Sequence, residues 1–244
     1  MSHPAVDSTT DAPAARPSRW PSQVKFIIGN EVCERYSFYG MKGILAGYIT
    51  RDAMQGGLGR SADQATEWIH LFIMASYFMP LLGAYLSDRW WGRYRTILWI
   101  ALFYCAGHGV LALSDLFPGV GARTALLGIG LSLIAFGAGG IKPCVSAFMG
   151  DQFPPGESRL YQKAYAAFYF SINFGSFFAF LTIPYLAKEF GYGWAFGVPG
   201  VLMGLATLIF WIGTPRYVQV PPNRETRTAG ILAVAAEAWR RRGT

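Results

Sequence analysis

Five stretches of this 244-residue chain contain no Asp, Glu, Lys or Arg at all: 68–87, 96–113, 124–141, 164–187 and 190–215. Each supplies the roughly 18 to 25 apolar residues that a membrane-spanning helix needs. The chain as a whole is 52% hydrophobic and only 14% charged, against about 25% charged in soluble domains. Sixteen per cent aromatics and 29 glycines spread through the apolar stretches exclude disorder and a coiled coil. Cys33, Cys105 and Cys144 all lie in apolar sequence and lack disulfide or metal-ligand spacing, so they read as small hydrophobes.

A sixth stretch, Phe26 to Thr50, is apolar in bulk but carries Glu31, Glu34, Arg35 and Lys42. Read as a span, it gives an all-α membrane protein of six transmembrane helices. Residues 1–22 read as a disordered cytoplasmic tail, with no apolar core of a signal peptide. Residues 23–215 form the bundle. An even number of spans puts both ends on one side, and that side receives most of the cations, among them Lys25, Arg89, Arg93, Arg95, Arg159, Lys163 and Arg216. The other side receives Arg51, Arg60, Arg123 and Lys188. By the positive-inside rule both termini are cytoplasmic. The net charge of +7 is thus a topology signal and not a nucleic-acid patch.

Charge at bilayer depth costs at least about 2.5 to 3.5 kcal/mol per group on insertion scales, so the first span demands a compensating arrangement. Glu31, Glu34, Arg35, Phe38 and Lys42 follow helical spacing and fall on one stripe. At about 1.5 Å per residue, Glu34 and Arg35 lie roughly 14 to 15 Å in, and Lys142 of the fourth span roughly 13 Å in from the same side. A lysine level with two carboxylates makes a proton-sensitive network reasonable. A static ion-pair network joining the first and fourth spans is the plainer reading of the same residues. His108 reads as a packed, hydrogen-bonded core residue. The run Gly137, Ala138, Gly139, Gly140 and the pairs Gly43 with Gly47 and Gly200 with Gly204 read as close helix contacts. Tyr77, Asn173 and Ser176 are polar groups in spans, suited equally to core bonding and to ligand contact. Residues 216–244 read as a cytoplasmic linker or a short amphipathic helix on the membrane surface.

Four segments carry a family pattern. NEVCERYSFYGMKGIL from Asn30 resembles the E-x-x-E-R-F-x-Y-Y-G-M-R motif of the proton-dependent oligopeptide transporters, within the major facilitator superfamily. LLGAYLSDRWWGRYRT from Leu81 resembles that superfamily's loop between spans two and three. GAGGIKPCVSAFMGDQF from Gly137 and FYFSINFGSF from Phe168 resemble the family's fourth and fifth spans. The resemblance implies that Glu31, Glu34, Arg35 and Lys142 couple proton movement to peptide movement. It implies further that Lys42, Tyr39, Tyr77, Lys142 and Asn173 contact substrate, with Lys42 and Lys142 near the peptide carboxylate. Phe38 and Lys42 depart from the family's tyrosine and arginine. Lys42 keeps the charge and loses bidentate geometry.

The resemblance implies an N-terminal half-bundle of two inverted three-helix repeats. It would serve in proton-coupled symport of di- and tripeptides by alternating access in a cell membrane, the bacterial inner membrane by this reading. The implied partners are peptides, protons, the bilayer and a second six-helix half, with no cofactor and no metal. A family carrier of nitrate or another small anion and a non-transporting fragment are the alternatives. An intramembrane enzyme lacks a nucleophile or metal set to accompany its carboxylates and lysine.

Overall fold

In a computed structural model that describes residues 20–154, 156–222 and 238–241, the apolar stretches become long helices. They are α1 (Val24–Thr50), α2 (Ala62–Leu86), α3 (Gly92–Ala112), α4 (Val120–Asp151), α5 (Ser158–Glu189) and α6 (Tyr192–Ile212). The tail expected over 1–22 lies outside the described residues but for 20–22, and so does most of the segment 216–244. Within that segment, residues 238–241 are helical. Among the described residues, four helical segments are long and apolar enough to cross a membrane: Ala62–Leu116, Val120–Asp151, Ser158–Glu189 and Tyr192–Arg216. The first contains both α2 and α3. The charges of α1 keep it below that hydropathy threshold.

Local chemistry sets the boundaries. Ser61 and Gln64 form a reciprocal capping box at the start of α2, which satisfies two otherwise unpaired backbone donors, and Asp63 adds a carboxylate to the first turn where the helix dipole favours it. Between α2 and α3 the chain makes a π turn over Ser87–Trp91 and reverses at Gly92, whose φ of 75° suits a residue without Cβ.

Packing follows a regular scheme. α1 lies chiefly on α5 and α6, α4 lies chiefly on α2 and α3, and α3 meets α6. The glycines make the closest of these contacts possible. A Cβ on Gly83 of α2 would stand 2.2 Å from the Gly140 carbonyl oxygen of α4. One on Gly137 would stand 2.5 Å from Tyr104 Cβ, and one on Gly139 2.5 Å from Met79 Cβ. The 137–140 run is therefore a contact surface on both sides. Gly43, Gly47 and Gly200 also face neighbouring helices at 3.0 to 3.2 Å. Gly204 does not: a Cβ there meets nothing within 4 Å, so its pairing with Gly200 as a packing unit is corrected.

Each end of the bundle is tied by polar contacts. At one end Arg93 of α3 pairs with Asp151 of α4, Tyr94 bonds Thr214 at 2.6 Å, and the Gln152 side chain exchanges two bonds with the Val218 backbone. At the other, the buried Arg123 donates to the carbonyls of Phe117, Ala53 and Gly57, and Asp115 accepts from the Gly193 amide. His108 is fully buried and stacked on Tyr104, with ring centroids 5.2 Å apart. Neither of its ring nitrogens has a partner among the described residues, which corrects the expectation of a hydrogen-bonded histidine.

The backbone approach at Gly83 gives a direct prediction. Gly83→Ala drives a Cβ into a main-chain oxygen that cannot swing away, and overpacking of this kind costs about 1–3 kcal/mol. Gly204→Ala meets no atom. Thermal unfolding in detergent is expected to drop for the first variant and to stay at the parental value for the second.

Candidate functional site

The stripe on α1 is fixed by its neighbours. Ser37 Oγ, buried, lies 2.7 Å from the Pro199 carbonyl of α6 and also bonds Cys33 of its own helix. The Tyr36 hydroxyl bonds Thr182 of α5. A Cβ on Gly175 of α5 would come within 2.4 Å of the Val32 carbonyl, so α5 lies hard against α1 at this level. These contacts leave α1 with one rotation, and that rotation sends its acids and its arginine inward.

Glu31, Glu34 and Arg35 are 4%, 1% and 7% exposed. Arg35 Nε lies 2.9 Å from Glu31 Oε1 and also contacts Glu34 Oε2. One guanidinium thus serves two carboxylates and leaves one excess negative charge when both are ionised. Tyr104 of α3 lies within interaction range of Glu34, and Lys142 of α4 is close enough to act on both carboxylates through space. Lys142 makes no ion pair, however: among the described residues both acids are held by Arg35. The direct Lys142 carboxylate pair anticipated from depth alone is absent, because the adjacent arginine on the same helix reaches them first.

Beside this cluster is a cavity of about 230 Å³. α1 contributes Arg35, Phe38, Tyr39 and Lys42 to its wall, α2 contributes Ile73, Ser76 and Tyr77, and α4 contributes Ala138, Gly139 and Lys142. The Arg35 guanidinium lies 5.9 Å from the Phe38 ring centroid, and Lys142 Nζ lies 5.6 Å from that of Tyr77, both cation–π distances. Prolines sit at this level in both flanking helices. Pro80 and Pro143 lack the amide that would bond the carbonyl four residues earlier, those of Ser76 and Gly139, and both of these residues belong to the wall.

Five of the residues singled out from sequence therefore surround one space: Arg35, Tyr39, Lys42, Tyr77 and Lys142. Glu31 and Glu34 lie behind Arg35, out of the cavity. Asn173 is apart from it, exposed on α5 with its Nδ2 bonded to the Tyr169 carbonyl, and Ser176 bonds its own helix in the same way. Ile73, Ser76 and Tyr77 follow i, i+3 and i+4, a face that the sequence holds but does not mark. Tyr104 carries no sequence signal at all, since its place beside Glu34 depends on how α3 packs.

Chemically the wall offers three cations and no exposed carboxylate, with aromatic rings between them. It suits an anionic group on a partly apolar molecule. A prediction about stability follows from the pairing. Arg35→Met leaves two buried carboxylates without their cation and is expected to cost about 3–5 kcal/mol. Adding Glu31→Gln and Glu34→Gln to it is expected to recover most of that loss, as read by chemical denaturation of the detergent-solubilised variants.

Comparison with known proteins adds a family. A model described as the POT family matches residues 94–243, more than half of the chain. "Peptide transporter family 2" of Caenorhabditis elegans is 40% identical over 93% of the chain, and "Solute carrier family 15 member 2" of Homo sapiens is 41% identical over 84% of it. The alignments span 29% of each of those proteins. Among solved structures, the POT family transporter PepTSo is 46% identical with a TM-score of 0.79, covering 91% of this chain and 43% of that one. An auto-inhibited POT family peptide transporter is 47% identical with a TM-score of 0.78, covering 89% and 42%. The chain therefore spans less than a third of its curated relatives and under half of the solved transporters, and it belongs to the POT family.

Proposed function

We propose that this chain is the N-terminal half of a proton-coupled carrier of di- and tripeptides, working by alternating access. The observation that carries the reading is the cavity itself. Lys42, Lys142 and Arg35 converge on it, the carboxylates that neutralise Arg35 lie immediately behind, and relatives named peptide transporters share about 40% of the sequence. At about 230 Å³ the space falls below the roughly 300 Å³ at which small-molecule sites begin. That is expected if a second six-helix half supplies the facing wall and a group for the peptide's amino end.

In this mechanism α1 to α6 all cross the bilayer, with both termini on the cytoplasmic side. Arg89, Arg93 and Arg95 at the α2–α3 turn, Arg159 and Lys163 at the α4–α5 turn, and Arg216 after α6 gather at that end, as the positive-inside rule requires. The packing scheme is unchanged when α1, α2 and α3 are exchanged for α4, α5 and α6. Because successive spans alternate in direction, α1 and α4 run oppositely, which supports two inverted repeats with the cavity between their first helices. The membrane is a cell membrane, by this reading the bacterial inner membrane, and no cofactor takes part beyond the coupling proton.

Coupling arises from competition for Arg35. With Glu31 and Glu34 ionised, the guanidinium is held back against α1. Protonation of one carboxylate weakens that hold, and Arg35 becomes available to a substrate carboxylate already drawn by Lys42 and Lys142. Substrate and proton thus favour the same state, and a ligand that favours one of two states shifts the population toward it.

In proteoliposomes of the full carrier, Lys142→Ala is expected to reduce uptake of labelled di-alanine driven by an inward proton gradient to background. Uptake at the parental rate would contradict the reading. Competition by nitrate with no competition by di-alanine would assign the site to small anions instead.

A further inference from the structure

Apart from the cavity lined by α1, α2 and α4, α3 and α6 form a second feature. Leu98, Trp99 and Leu102 of α3 and Leu208 and Trp211 of α6 enclose an apolar groove of about 340 Å³. Gly204 makes its floor, and because a Cβ there touches nothing within 4 Å, the glycine leaves an empty notch where any other residue would put carbon. Thr207 also lines the groove, and its hydroxyl, 3.7 Å from the Cys105 thiol, joins the two helices. Trp99 and Trp211 are 55% and 57% exposed, so neither indole is used by the protein's own core.

A basic space lies one helical turn from the groove. Arg95 precedes Trp99 by four residues, one turn along the same face of α3. It lines a cavity of about 530 Å³ together with Arg89, Trp90 and Trp91. The described lining of that cavity holds no carboxylate, and Arg95 brings a guanidinium to it. The nearest arginine of the same turn, Arg93, is already neutralised by Asp151, whereas Arg95 is exposed. The bonded pair Tyr94 and Thr214 fixes the start of α3 beside the end of α6. The basic space therefore lies at the end of the bundle where α3 starts and α6 finishes, the end assigned to the cytoplasmic leaflet.

We propose that this is a binding site for an anionic glycerophospholipid, with its phosphate at Arg95 in the basic space and one acyl chain along the groove over Gly204. Each part of the ligand meets its physical complement. Arginine offers a phosphate two parallel donors. Tryptophans are amphipathic and settle at headgroup level. Basic pockets between helices on the cytoplasmic side recognise anionic headgroups. A zwitterionic lipid fills the groove equally well but brings its own cation to the arginines, so selectivity for net negative charge resides in Arg95 and retention of the chain in Gly204. The proposal rests on α3 and α6 crossing the bilayer.

The test uses native mass spectrometry of the chain released from nanodiscs that contain equal phosphatidylglycerol and phosphatidylcholine. Insertion is checked beforehand by resistance to alkaline extraction and by the helical circular dichroism signal. The expected result is one retained phosphatidylglycerol, favoured over phosphatidylcholine by about 10-fold. Arg95→Gln is expected to abolish that preference while keeping lipid bound, and Gly204→Leu to lower retention of both lipids. Equal retention of the two lipids by the parental chain, or an unchanged preference in Arg95→Gln, would overturn the proposal alone. A chain extracted by alkali would overturn the membrane-spanning reading of α3 and α6 together with it.

Discussion

An arginine shared between two carboxylates inside an apolar bundle is the constraint around which the rest of this chain is arranged. Buried charge is tolerated only when it is paired, and the pairing of Glu31 and Glu34 with Arg35 requires all three to stand on one face of α1 and to stay there. The bonds from Ser37 to Pro199 and from Tyr36 to Thr182 hold that rotation. The close approach of Gly175 to α1 brings α5 hard against the same helix. The count of charges within the cluster is unequal, two acids to one base, which leaves one negative charge in excess when both acids are ionised.

The packing of α4 solves a different problem. α4 has a single charge at comparable depth, Lys142, and packs by backbone contact. Gly83 against Gly140, and Gly137 and Gly139 against Tyr104 and Met79, bring α2 and α3 so near to α4 that Ala138 and Lys142 are left facing the cavity. One helix is thus positioned by charge and hydrogen bonds and the other by the lack of side chains. The cavity forms where the two meet. At the two ends, Arg93 with Asp151 and Arg123 with its three carbonyls hold the helix termini in register without adding charge to the interior.

Most of this was legible in the sequence wherever one-dimensional spacing carries the information. The charge-free stretches mark α2 to α6, and the i, i+3, i+4, i+7, i+11 pattern shows the α1 stripe even though those same charges hide α1 from a hydropathy criterion. Depth counting put Arg35 and Lys142 at one level, and both line the cavity. What spacing cannot supply is direction between helices. It suggested that Lys142 reaches the acids, where Arg35 does so first. It gave Asn173 a place with the substrate contacts, and that side chain is exposed on α5, apart from the cavity between α1, α2 and α4. Tyr104 and His108 were unreadable for the same reason, since a lone polar residue in an apolar helix says nothing about which neighbour it meets.

The central claim is that Glu31 and Glu34 form the proton-responsive element and that the cavity beside them holds the substrate independently. Its most direct test compares two modes of di-alanine transport by the full carrier carrying Glu31→Gln and Glu34→Gln together. The account predicts that uptake driven by a proton gradient is lost while exchange of labelled for unlabelled di-alanine across the membrane continues, because Arg35, Lys42 and Lys142 still face the cavity. Gradient-driven uptake at the parental rate would contradict it.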